Sequence, residues 1–278
     1  MSDFSALEEI LNKLGAVHRV EAHMTQEEYQ QQRIDWYNQS VGNLNEADGY
    51  NCDICKNKGY IARLDKNGYE VHRACKCQKT RAALKRAKRS GLDNIITEYT
   101  FDKFNDTEEW QRYVKNTAQA FCADDEYKWF YIGGQVGAGK THICTAIAAH
   151  YIRAGLEVKY MLWSEEAKKL KSLVNDKSYQ FEIEIYKNID VLYIDDFLKV
   201  KNGENPTPAD INLAFEIINH RLLDKDKITI ISSEKTLDEL MEYDEATMSR
   251  IYQRTGVYKL NIGKDRNKNY RLRGNIVL

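Results

Sequence analysis

The chain has 278 residues, 42% of them apolar, with 41 basic and 42 acidic side chains and a formal net charge of −1. That length suits one large and one small domain, and the balanced charge excludes a global pull toward nucleic acid or a membrane surface. No run of eighteen apolar residues occurs and Met1-Ser2-Asp3-Phe4 carries no leader pattern, so the expectation is a cytoplasmic protein without a membrane span.

Residues 3 to 14 place Phe4, Leu7, Ile10, Leu11 and Leu14 at helical spacing. Thr25-Gln26-Glu27-Glu28 fits a capping box and opens a second helix through Tyr29, Ile34, Trp36 and Tyr37. So few apolar residues stabilise a self-packed bundle poorly. A docking surface for a partner is therefore the preferred reading of residues 1–48, with the bundle as the alternative.

Six cysteines in a reducing compartment argue for metal or free thiols over disulfides. Cys52, Cys55, Cys75 and Cys77 form two close pairs, C-x2-C and C-x-C, nineteen residues apart. Two such pairs can close a tetrahedral thiolate site for structural Zn2+. Asn67-Gly68 between them marks a hairpin turn, as in a zinc ribbon. His72, three residues before Cys75, stays open as a substitute ligand. Cys122 and Cys144 are isolated and read as buried small residues.

Residues 78 to 92 hold Lys79, Arg81, Lys85, Arg86, Lys88 and Arg89 with no acid before Asp93. This segment either touches a nucleic-acid backbone or is a solvated linker helix, which Gly91 would end.

Gly134-Gln135-Val136-Gly137-Ala138-Gly139-Lys140-Thr141 is G-x-x-x-x-G-K-T, preceded by the β-prone Trp129-Phe130-Tyr131-Ile132 and followed by a helical run from His142 to His150. That strand–loop–helix setting is what a phosphate-binding loop requires. Glycines let backbone N–H groups approach phosphate oxygens, and the helix start adds its positive dipole end. The nucleotide-binding set is Gly134 to His142, with Lys140 on the β- and γ-phosphates and the Thr141 hydroxyl on Mg2+.

Glu157 to Trp163 reads as a second strand, and residues 164 to 187 as one or two helices with Lys168, Lys169, Lys171 and Lys177 beside Tyr179 and Phe181. That face either tracks a single-stranded backbone or is simply solvated. The apolar run from Asn188 ends in Asp195-Asp196, at the edge where parallel sheets bind ligands. Asp195 is expected in the Mg2+ shell and Asp196 is placed to polarise the attacking water. A polar loop, residues 199 to 208, leads into a helix through Ile211, Leu213, Ile217, Ile218 and Leu222. Another strand, from Ile228, ends in Ser232-Ser233-Glu234, whose polar groups should lie near the γ-phosphate. Arg250 and Arg254 share one helical face, and either could reach a neighbour's ATP or be an ordinary surface pair. A last strand, Val257 to Ile262, precedes a tail with Arg266, Arg271 and Arg273.

The order of these features, with Thr100-Phe101-Asp102-Lys103-Phe104 before them, resembles the DnaC/DnaI/IstB branch of AAA+ ATPases. The Cys52–Cys77 cluster looks like that of DnaI-type bacterial and phage helicase loaders. The resemblance, covering about residues 50 to 275, implies an α/β AAA+ fold with a five-stranded parallel sheet in the order 5-1-4-3-2. It implies a helical, zinc-binding N-terminal part: residues 1–48 and 49–80, a basic linker 81–98, and an ATPase domain 99–278. It also implies ATP-dependent self-oligomers, docking to a hexameric replicative helicase and a grip on single-stranded DNA. By position, Ser233 falls at or near the first sensor. Arg250 matches the arginine finger, with Arg254 as competitor, and Arg271 is the candidate second sensor. Glu234 departs from the pattern, because this branch often places Asn there.

Two alternatives remain open at this point: an IstB-like helper of a transposase, which would not need the cysteine module, and a DNA-binding adaptor that uses ATP only as a switch.

Overall fold

The computed structural model describes residues 25–88, 92, 96–200 and 204–272. The expected helix over residues 3 to 14 and the helix end at Gly91 lie outside these. The chain divides into two units, Met1–Cys75 and Lys76–Leu278.

In the first unit, helix α1 (Gln26–Gln39) starts at Thr25, whose hydroxyl accepts from the Glu28 N–H while the Glu28 carboxylate accepts from the Thr25 N–H. The expected capping box is therefore formed. Only Ile34 of this helix is buried, and Trp36 is 73% exposed. A short helix α2 (Leu44–Asp48) follows, then the antiparallel hairpin β1 (Tyr60–Leu64) and β2 (Glu70–Ala74). The hairpin turns at Asn67-Gly68, where Gly68 takes the left-handed φ of 80° that closes the loop. Asn38 ties α1 to β1 by donating to the Ala62 carbonyl and accepting from the Ala62 N–H.

In the second unit, α3 (Cys77–Ala87) and α4 (Glu109–Ala123) precede the first strand of the large sheet, β3 (Trp129–Gly134). Then α5 (Lys140–Ala154), β4 (Val158–Leu162), α6 (Trp163–Ser172), α7 (Ser178–Asn188) and β5 (Val191–Asp195) follow. The chain continues through α8 (Pro208–Leu222), β6 (Ile228–Ser232), α9 (Leu237–Met241), α10 (Glu245–Thr255) and β7 (Lys259–Ile262). Helix α8 starts as Thr-Pro-x-Asp dictates: Thr207 caps it, Pro208 opens it and Asp210 reciprocates.

The five strands are all parallel and lie in the order β4-β5-β6-β3-β7. Counted within this unit, that is 5-1-4-3-2 read from the other edge, as expected. Strands β3, β5 and β6 are buried along their whole length, which explains their unbroken apolar sequences. Side chains alternate between two cores. Phe130 and Ile132 face the layer holding α3, α4 and α5, while Trp129 and Tyr131 face the layer of α6 to α10. Among the described residues no helix is long and apolar enough to cross a membrane.

One polar residue pins the second layer. Arg221 is fully buried, donating to the carbonyls of Tyr186, Lys187, Ile189 and Ile228 and to the Thr229 hydroxyl. Burial pulls its pKa down to about 10, so it stays charged at neutral pH. Arg221→Met leaves four carbonyls short of a donor at the junction of α7, β5 and β6. The expected loss is about 3–5 kcal/mol, read as a lower urea midpoint.

Candidate functional site

The site is built where β3 ends. Gln135 to Gly139 loop from the strand to the first turn of α5, and Lys140 and Thr141 begin that helix. Two glycines are required here. Gly137 (φ 72°) would drive a Cβ to 2.0 Å from the Asn269 Oδ1, and Gly139 (φ 83°) would drive one to 2.9 Å from the Phe104 ring. The Lys140 ammonium folds over the loop and donates to the carbonyls of Gly134 at 2.9 Å and Gln135 at 2.7 Å. It is only 7% exposed. Burial lowers its pKa, and Glu234, Asp196 and Asp195 oppose that shift.

The acidic wall comes from β5. Asp195 is buried and surrounded by hydroxyls: Thr141 donates to its Oδ1 at 3.3 Å, Tyr160 to its Oδ2 at 3.0 Å, and Ser232 also donates to Oδ1. Burial first, then the Asp195 charge, push the Tyr160 hydroxyl well up, so it stays a donor. Asp196 follows in the left-handed region (φ 54°), as does Leu198 (φ 55°). Such residues each cost roughly 1 kcal/mol, and the turn is held by other bonds. The Asp196 N–H donates to the Ser232 Oγ at 3.1 Å, the Phe197 N–H to the Ser232 carbonyl at 2.8 Å, and Phe197 is buried against Trp163.

That turn brings Lys199 back over the acids. Its ammonium lies 2.9 Å from Asp196 Oδ2 and 2.7 Å from Glu234 Oε1. Burial alone would lower the pKa of this lysine, and the two carboxylates more than offset it.

A cavity of about 310 Å3 joins these groups to an aromatic end. Lys140, Thr141, Asp196, Lys199, Glu234 and Arg271 line the charged end. At the other, Tyr99 stacks on His142 with ring centres 4.9 Å apart, and Phe104 meets the same ring edge-on at 5.2 Å. A His142 ring nitrogen lies 2.8 Å from the Thr100 carbonyl oxygen. Burial holds His142 below its ordinary range, so the ring is neutral at pH 7 and offers an uncharged face. The Thr100–Phe104 segment therefore splits: Phe104 and Lys103 line the cavity, while Phe101 packs against the core.

Ser233 is the one residue whose expected place changes. Its buried hydroxyl donates to the Phe197 carbonyl and accepts from the Lys235 N–H, so it faces away from the cavity. Ser232 holds the contact with the acids instead. Arg250 and Arg254 do not line this cavity. Arg250 donates to the Asn219 Oδ1 at 2.7 Å above the Phe215 ring, and Arg254 donates to the Leu222 carbonyl at 2.5 Å. Ser232 belongs to the polar strand end expected near the γ-phosphate, and it meets both acids there. Tyr160 and Lys199 carry no such signal in the sequence.

The four cysteines Cys52, Cys55, Cys75 and Cys77 are all buried, with their sulfurs within 4.8 Å of one another. The Cys52 and Cys75 sulfurs are 3.8 Å apart. Four thiolates about 2.3 Å from a tetrahedral zinc would stand about 3.8 Å from one another. The Gly59 N–H donates to the Cys55 sulfur at 3.3 Å. His72 is not in the group and pairs with Glu70 at 2.9 Å.

A phosphate loop on a 5-1-4-3-2 parallel sheet, with two acids at the end of β5, which β6 separates from the loop's own strand, defines an AAA+ P-loop ATPase. Residues 95–257, more than half of the chain, match the bacterial DnaA ATPase domain, and the chain belongs to that family. It is 31% identical over 246 residues to the phage-like element PBSX protein XkdC of Bacillus subtilis (strain 168), covering 82% of this chain and 89% of that protein. The fold is also that of two crystal structures. One is the DnaC helicase loader (21% identity, TM-score 0.50, 61% of this chain and 98% of that one). The other is DnaI (19% identity, TM-score 0.50, 62% and 93%). The protein is thus an ATP-binding ATPase.

Proposed function

We propose that this protein loads a hexameric replicative DNA helicase onto single-stranded DNA, driven by ATP, in a phage or mobile-element setting. The observation that carries the reading is an ATP cleft on a fold shared with the DnaC helicase loader along 98% of that chain. The likeness to XkdC, a protein of a phage-like element, supports the setting. Residues 1–48 are the docking segment for the helicase, which the exposed Trp36 and Tyr29 of α1 support.

In the cleft, the loop N–H groups and Lys140 hold the triphosphate. Thr141 and Asp195 hold Mg2+, and their oxygens, 3.3 Å apart, are near the ~3 Å spacing of adjacent ligands on an octahedral ion of that size. Mg2+ supplies charge for the developing phosphate oxygens. Asp196 accepts a proton from the water that attacks the γ-phosphorus as the bond to the bridging oxygen breaks, giving ADP and phosphate. Tyr99, Phe104 and His142 enclose the base. Arg250 acts on the ATP of the next subunit, which its position outside this chain's own cavity supports, and Arg271 contacts the nucleotide from within. Zn2+ is held by the four cysteines.

The test uses the full chain with the host or phage helicase. Co-elution with the hexamer and ATP hydrolysis raised by single-stranded DNA are the expected results. Intact ATP binding without turnover, with or without DNA, would instead point to an adaptor that uses ATP as a switch.

A further inference from the structure

Lys199 belongs to no nucleotide-binding motif, yet its ammonium bridges the acid placed to activate water and a second carboxylate across the cleft, at 2.9 and 2.7 Å. The turn that presents it is specific. Lys199 sits three residues past Asp196 and its N–H donates to the Asp196 carbonyl at 3.0 Å. Two non-glycine residues in that turn adopt left-handed backbone, and Phe197 between them is buried. A surface lysine that merely fell near an acid would not need such a turn. The bridge lines the same cavity as Lys140, Thr141 and Arg271.

A carboxylate oxygen engaged by an ammonium is occupied and held in place, so it is not turned toward an attacking water. We propose that Lys199 is a positioning residue that restrains hydrolysis: it holds the Asp196 carboxylate out of service as the base, and Glu234 draws Lys199 partly off Asp196. The proposal rests on the reading of Asp196 as the group that accepts the water's proton. It assigns Glu234 a role through Lys199, where the family pattern often has an uncharged Asn.

The pairing dictates a pattern of rates. Lys199→Met with Glu234→Gln removes the bridge while leaving the local net charge unchanged, so a change in turnover reports the bridge and not the field. Relative to the native chain, kcat for Mg·ATP rises about two- to fivefold, the range that losing one partly exposed ion pair allows, and KM stays within about twofold. Glu234→Gln alone leaves Lys199 to Asp196 and lowers kcat about two- to threefold. The same change made on top of Lys199→Met raises KM no further and does not change kcat, because its partner is gone. Lys199→Arg, which keeps a donor cation, returns kcat to near the native value. A structural lysine would instead move the urea midpoint without splitting kcat from KM.

Steady-state hydrolysis by these full-length variants, with titration of a fluorescent ATP analogue for binding, decides the matter, and Asp196→Asn is the control. An unchanged or lower kcat in the double variant, with Asp196→Asn inactive, overturns the restraint. A rise in kcat for Glu234→Gln overturns it too, even if the double variant does not fold. Asp196→Asn that still hydrolyses ATP at the native rate overturns the assignment of Asp196 itself, and the restraint with it.

Discussion

Lys140→Ala is expected to weaken ATP binding by at least about 100-fold, measured by calorimetry or by titration with a fluorescent analogue. A buried cation facing a triphosphate makes charge-assisted contacts worth about 3 kcal/mol, which corresponds to that factor. Two effects act together. The phosphates lose their main point charge, and the loop loses the two bonds from the ammonium to the Gly134 and Gln135 carbonyls that hold its curve. The fold itself should survive. Lys140 opens α5, alanine suits a helix, and the apolar face of α5 from Ile143 to Ile152 is untouched. The urea midpoint should therefore move little while affinity collapses. Affinity within threefold of native would mean that the triphosphate lies elsewhere, and every role given to Asp195, Asp196 and Lys199 would fall with it.

The parts of this site that are local in sequence were legible, and the parts made by tertiary contact were not. The loop from Gly134 to Thr141 carries its own geometry, because each glycine answers a backbone demand and the helix start follows at once. The strand order came from resemblance, since no spacing states which strand pairs with which. Ser232 and Ser233 show the limit. Successive strand residues face opposite sides, so only one of two serines can reach the acids, and nothing in the sequence fixes the parity at the end of β6. The register pairing Ile132 with Ser232 settles it. Tyr160 reaches Asp195 from the neighbouring strand, a pairing across 35 residues. Lys199 was hidden for another reason. Its turn uses Asp196 and Leu198 where a left-handed backbone would normally be signalled by glycine, so no turn signature announces it.

Zinc removal is expected to have the largest effect on stability. Purified chain should carry about one zinc, and a chelator strong enough to strip it should unfold the hairpin module. The described core of that unit is small: Ile34, Ala62 and three buried cysteines, with Trp36, Tyr60 and Tyr69 exposed. A core of that size contributes too little to offset the ordering of some fifty residues, whereas four-ligand zinc sites contribute about 10–16 kcal/mol to the folding of small domains at neutral pH. Amide exchange over β1 and β2 should therefore become fast on chelation, and Cys52→Ser should do the same by removing one thiolate. The sheet that carries the ATP cleft has its own two-layered core, so its exchange and its affinity for ATP should stay near native. This separation is what distinguishes a structural metal from a general loss of fold. A chain that holds less than about a tenth of an equivalent of zinc, and keeps slow exchange in the hairpin without it, would show that the four thiols are simply a packed cluster. The 3.8 Å spacing of the Cys52 and Cys75 sulfurs would then be van der Waals contact, not an edge of a tetrahedron.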